Sequence, residues 1–171
     1  MSMISLFAIV NRKRLILLLA ITAVFTAVMT GCSGKPEGER SEVTIGELAQ
    51  RLKQAVKLEE LKRRDKETLQ RLYRLGDDEV EDFVLYTAAS NVKADEVAVI
   101  QAKDAAQAER VKQNVSKRID AQTAKFKDYR PEEYGLIQKH VLKRVGRFVL
   151  FAVSKDADRI EQVFDEALRR N

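Results

Sequence analysis

Apolar residues follow three rhythms along this chain. Residues 15–29 form one continuous apolar run, broken only by Thr22 and Thr26 and preceded by the basic group Arg12, Lys13 and Arg14. From residue 43 onward the apolar positions recur at helical spacing: Ile45, Leu48, Leu52 and Val56 make one stripe, while Arg51 and Lys53 stay on the wet side. After residue 80 the rhythm changes to short continuous runs, Phe83-Val84-Leu85-Tyr86 and Val97-Ala98-Val99-Ile100, rich in β-branched and aromatic side chains. Runs of that kind predict strands covered on both faces.

Punctuation between these runs sets the predicted elements. Val43, Thr44, Glu47 and Leu48 stand at the N′, N-cap, N3 and N4 positions of a helix, the spacing of a capping box with a hydrophobic staple. A second helix over residues 65–75 carries Leu69, Leu72 and Tyr73 and stops at Gly76. Asp104 with Gln107 caps a long helix whose face is Ala108, Val111, Val115 and Ile119 and which runs to about Phe126. Pro131 suits the first turn of a short helix, where Glu132 and Glu133 meet its positive end. A hairpin follows over residues 140–154 with its turn near Gly146, and a last helix from about Asp156 buries Ile160, Val163, Phe164, Ala167 and Leu168. The order predicts an α+β domain: a four-stranded, mainly antiparallel sheet from two strand-strand-helix units, preceded by two N-terminal helices. The helices of the two units are expected on one face and the N-terminal pair on the other. Lys103-Asp104-Ala105 and Lys155-Asp156-Ala157 repeat at the two strand exits, a weak sign of duplication because Asp is common at N-caps.

The N-terminal rhythm is of another kind. A basic group, an apolar run and then the small residues Thr30 and Gly31 follow the order of an export signal. The run of 15 residues is shorter than the roughly 20 a membrane-spanning helix needs. Met29-Thr30-Gly31-Cys32 resembles the lipobox of bacterial lipoproteins, with Met where Leu is usual. The resemblance implies cleavage before a lipid-modified Cys32, and the two chains of a diacylglycerol suffice for stable anchoring. Residues 1–31 are therefore expected to be a lipoprotein signal peptide. Residues 32–42, with Gly34, Pro36 and Gly38 among charges, are expected to be a flexible tether, and residues 43–171 a single domain. The expected location is the outer face of the cell membrane, with the membrane as partner through Cys32.

Charge changes this picture little. Without residues 1–31, which hold three basic residues and no acidic one, the remaining 140 residues carry 28 Lys and Arg against 26 Asp and Glu. That balance argues against nucleic acid as a partner. Cys32 is the only cysteine, which excludes an intrachain disulfide and a cysteine-rich metal site. His140 is the only histidine and alternates with Leu142 in an expected strand; no GxSxG or HExxH motif accompanies it, so a half-exposed strand histidine accounts for it. The acidic group Asp77, Asp78, Glu79, Glu81 and Asp82 lacks the spacing and glycine of an EF-hand loop and reads as a solvated turn. Lys62, Arg63 and Arg64 are suited to anionic lipid or wall polymer, though an ordinary charged helix end explains them as well. No catalytic residue, metal or cofactor is expected.

The run from Tyr86 to Ile100, Tyr-Thr-Ala-Ala-Ser-Asn-Val-Lys-Ala-Asp-Glu-Val-Ala-Val-Ile, is similar to the strand-loop-strand signature of a Gram-positive lipoprotein family described as domain of unknown function 4358. Tyr129-Arg130-Pro131-Glu132-Glu133-Tyr134 and Val149-Leu150-Phe151-Ala152-Val153-Ser154 are similar to its later blocks. The resemblance spans roughly residues 44–170; it implies a lipoprotein and supports the fold, without an activity to carry over. Within it, Ser90, Asn91, Asp95 and Glu96 bracket a loop between buried strands, a usual place for binding. Plain turn chemistry explains the same residues equally well. The long helix should return the chain towards that loop, so Tyr129 and Tyr134 are expected to join Ser90, Asn91, Asp95 and Glu96 in one binding surface. The expected function is a non-enzymatic binding or interaction module with an unidentified protein or cell-wall partner. The alternative is a small extracytoplasmic hydrolase or cell-wall enzyme using carboxylates such as Asp95 or Glu96.

Overall fold

A computed structural model of the protein describes residues 43–169. The signal segment and the whole of the tether, Cys32 included, lie outside the described residues. The elements are α1 (Ile45–Ala55), β1 (Leu61–Arg63), α2 (Lys66–Tyr73), β2 (Val80–Ala88), β3 (Glu96–Ala102), α3 (Ala105–Phe126), α4 (Pro131–Gln138), β4 (Val141–Val145), β5 (Phe148–Val153) and α5 (Ala157–Arg169). The strands form one antiparallel sheet in the order β1-β2-β3-β5-β4. Two hairpins, β2-β3 and β4-β5, lie side by side, joined where Ala98 faces Phe151.

Every residue of β3 and β5 is buried, which is why these strands read as unbroken apolar runs. Successive side chains go to opposite faces. Val97, Val99, Leu150 and Ala152 meet Leu48 and Leu52 of α1 and Ile160 and Phe164 of α5. Ala98, Ile100, Val149 and Phe151 meet Leu69 and Tyr73 of α2, Val111 and Val115 of α3, and Ile137 of α4. The sheet is thus the middle of three layers. The first helix starts at the expected box: Thr44 Oγ1 accepts from Glu47 N at 3.2 Å, and Thr44 N donates to Glu47 Oε2 at 3.0 Å.

Two expectations are corrected. The sheet has five strands, not four, because β1 pairs with the outer edge of β2 through Leu61↔Ala88, Lys62↔Thr87 and Arg63↔Tyr86. Its backbone makes the pairing and only Leu61 packs on the core; Lys62 and Arg63 are exposed, so no side-chain period marks it. A short, charged edge strand also discourages pairing with other chains. The layers differ as well: α1 packs with α5, while α2 packs with α3, so the N-terminal helices are split between faces. Neighbouring antiparallel strands related by a two-fold axis normal to the sheet would send α3 and α5 to the same face. They lie on opposite faces, so the repeated Lys-Asp-Ala reflects similar strand-exit chemistry at two unlike junctions. At the first of these, Asp104 accepts from Gln107 N at 2.7 Å.

One more boundary differs. Helix α2 ends at Tyr73, with Arg74 in the left-handed region (φ 54°), rather than running on to Gly76. Asn114 of α3 donates to the carbonyl of Arg74 at 3.3 Å and so holds that turn against the long helix.

Candidate functional site: a braced loop between two clefts

The loop of residues 89–95 leaves the sheet where β2 ends and β3 begins. Its turn chemistry is local: Val92 N donates to Ser90 Oγ at 3.3 Å and Lys93 N to Ser90 O at 3.4 Å. Ala88 N donates to Asp95 O at 2.8 Å and closes the stem. Under it sits Glu133, in the first turn of α4 and only 3% exposed. One carboxylate oxygen accepts from Lys93 Nζ at 2.7 Å and the other from the buried Ala94 N at 2.8 Å. Glu133 in turn holds the Lys93 ammonium above its ordinary value. From the end of α3, Lys125 Nζ donates to Asn91 O at 2.6 Å. The segments around residues 90–96 and 129–134 therefore meet, α3 having carried the chain back along the sheet.

The contact runs through residues other than the expected tyrosines. Tyr129 is 85% exposed, and Tyr134 is half-buried against the core beneath α3 and α4. Glu133 was readable only as one of two glutamates at a helix start. The signal that separates it from Glu132 is its four-residue spacing from the buried Ile137, which puts both on the inward face.

Glu96 is the first residue of β3 and is 1% exposed. Tyr73 Oη donates to its Oε1 at 2.6 Å; Arg118 donates from Nη2 to Oε2 at 2.8 Å and from Nε to Oε1 at 3.3 Å; Gln122 adds a contact at 3.5 Å. Burial, then the adjacent Glu96 charge, push the Tyr73 phenol well above its usual range. Burial works against the Arg118 charge, but the hydrogen bonds and charge of Glu96 outweigh it and leave its pKa raised. The carboxylate thus locks β3 to α2 and α3. The sequence carried a sign of this, since Gln122 interrupts the apolar stripe of α3 between Ile119 and Phe126.

Two clefts flank the loop and share Ala88, Ala89, Ser90, Lys93 and Asp95. The first, of about 410 Å³, has an apolar part from Val56, Leu58 and Leu61 between α1 and β1 and a polar part from Ser154 and Lys155 at the exit of β5. The second, of about 490 Å³, is walled by Arg64, Thr68, Arg71, Arg118 and Lys125. Asp95 is half-buried at their boundary. Its carboxyl is pushed above the usual carboxylate value by burial and by Glu133, with Lys93 and Lys155 working the other way.

The other sequence candidates lie apart. His140 precedes β4, its Nδ1 lying 2.7 Å from the carbonyl oxygen of Ile137. In the acidic turn, Asp77 pairs with Lys66 and accepts from Gln70, while Glu79 accepts from Gly76 N. Among the described residues, no group of three or more His, Cys, Asp and Glu side chains is placed to hold a metal ion. No described helix is long and apolar enough to cross a membrane.

A three-layer α+β domain with a rigid sheet end and two adjoining clefts is the class of protein that fold and site define. Residues 54–154, from the end of α1 to the residue after β5, match the family described as Domain of unknown function (DUF4358). The match covers more than half of the chain, and the chain belongs to that family. No curated protein and no solved structure matches it.

Proposed function

We propose that this chain is a lipid-anchored binding module on the outer face of the cell membrane, using the clefts beside residues 89–95 to hold a ligand or partner. The anchor reading is supported by the basic group at residues 12–14, the apolar run that follows, and Cys32 as the sole cysteine. The observation that carries the binding reading is the bracing of the loop by Glu133 and Lys125, which fixes a polar wall between two clefts. A wall held this way needs little ordering when a ligand arrives.

Two measurements test it. Cys32→Ala should abolish fatty-acid labelling and leave an uncleaved precursor; wild-type chain that takes up no labelled acid refutes the anchor. Crosslinking in intact cells should yield a captured species that disappears with Ser90→Ala/Asp95→Asn, and capture indifferent to that pair refutes the role of the loop.

The hydrolase reading keeps one specific observation, the raised Asp95 carboxyl at a cleft, which suits a general acid. It draws nothing from Glu96, whose oxygens are occupied by Tyr73 and Arg118. Glycan or peptide turnover by the wild type that Asp95→Asn abolishes would replace the binding reading with this one.

A further inference from the structure

The second cleft has an unusual charge balance. Its lining holds Arg64, Arg71, Lys93, Arg118 and Lys125 against only Asp95 and Glu96. Arg118 is matched by Glu96 and Lys93 by Glu133. Arg64, Arg71 and Lys125 have no carboxylate at ion-pair distance among the described residues. Arg64 and Lys125 are also held in place. Arg64 is half-buried and pinned to the end of β2, its Nε donating to Thr87 Oγ1 at 2.7 Å and its Nη2 to Ala88 O at 3.2 Å, which leaves other guanidinium donors available. Lys125 is held at Asn91 O and over the Phe126 ring, 4.6 Å from its centroid. Arg71 is exposed on α2, one turn beyond Thr68, and lines the same cleft as Arg64, which lies just before that helix.

We infer that this cleft binds a phosphate group, with Arg64, Arg71 and Lys125 as its charge partners. Three unmatched cations suit a dianion better than a monoanion, and a phosphomonoester carries nearly two negative charges at neutral pH. Guanidinium groups supply the paired donors that phosphate oxygens accept, and the Thr68 hydroxyl adds a neutral one. The volume of about 490 Å³ admits a small phosphorylated molecule or a single lipid headgroup. The inference deepens the binding reading and rests on it.

The experiment uses the full chain in nonionic detergent micelles. Inorganic phosphate, glycerol 3-phosphate, acetate and the short-chain lipids dihexanoyl phosphatidic acid, a phosphomonoester, and dihexanoyl phosphatidylcholine, a diester, are titrated by calorimetry. Arg71→Gln and Lys125→Gln are the informative variants, because neither side chain has a carboxylate partner whose loss would unfold the domain. Arg159→Gln, on α5 at the opposite face, is the control. Saturable binding of glycerol 3-phosphate, weakened about tenfold by either variant and unchanged by the control, supports a free phosphate ester as ligand. Saturable binding of dihexanoyl phosphatidic acid but not of glycerol 3-phosphate or dihexanoyl phosphatidylcholine, lost in the same variants, supports a headgroup as the source. Absence of both, indifference to both variants, or acetate binding as tight as phosphate overturns the inference. If phosphate fails while cellular capture still depends on Ser90 and Asp95, the binding reading stands and the ligand class alone is wrong.

Discussion

Glu133 offers a direct test of the braced loop. Glu133→Ala removes two contacts of unequal weight. The Lys93 ammonium is largely exposed and regains water when its partner goes, so that loss should hardly be felt. The Ala94 N–H cannot, because Ala94 is 1% exposed and its amide donates at 2.8 Å to Glu133 alone in this geometry. A buried donor left without an acceptor costs about 1–3 kcal/mol. Together with a small void under the loop, the expected loss is about 2 kcal/mol, read as a lower urea midpoint at unchanged slope. Glu133→Gln keeps an acceptor oxygen for Ala94 and should lose only a small part of that. Amide hydrogen exchange at Ala94 should accelerate strongly in Glu133→Ala and weakly in Glu133→Gln. Equal destabilisation by the two variants, or an unchanged Ala94 exchange rate in Glu133→Ala, would refute the bracing argument.

Other outcomes follow from the same geometry. Glu96→Gln leaves the half-buried Arg118 guanidinium without its counter-charge and should cost about 2–3 kcal/mol; combining it with Arg118→Met should recover much of that, and a double variant no better than the single one contradicts the lock. Asp95 has a folded pKa above its unfolded one, so its folded form binds the proton more tightly. Its favourable contribution is full below the unfolded value near 3.8 and is lost as pH rises through the raised folded value. Asp95→Asn should therefore be more stable than wild type at pH 7 and lose that advantage towards pH 3; urea melts across this range check the sign. Tyr134→Ala should cost about 2 kcal/mol, since its half-buried ring packs on the core, while Tyr129→Ala should change thermal stability little.

Much of this fold was legible because most elements mark the sequence through their side chains. The capping box at Thr44, the buried strands β3 and β5, and the stripe of α3 all leave that mark. Strand β1 leaves none, since its pairing is made by backbone atoms that every residue has. The division of helices between faces was hidden for a different reason: an amphipathic stripe states that a face is buried, not against which side of a sheet. At the site, the meeting of two loops followed from the length of α3, but its agents did not. Glu133 and Arg64 are charged residues in stretches rich in charge, and only their inward placement distinguishes them. Glu96 reads as a polar loop residue until the register Thr87↔Glu96 makes it the first rung of a buried strand.

The Tyr73, Glu96 and Arg118 contacts have a consequence for how the domain opens. Helix α2 is only eight residues long, and a helix of that length hardly persists alone in water. It would be the natural first piece to fray. To peel from the sheet, however, it must draw Tyr73 off Glu96 and admit water to a carboxylate that β3 holds deep in the protein. Local opening is thereby coupled to disruption of the central strand. The amides of α2 should exchange with solvent only as slowly as those of β3, in a single cooperative unit, and the cleft wall that α2 forms stays closed for as long as the domain stays folded.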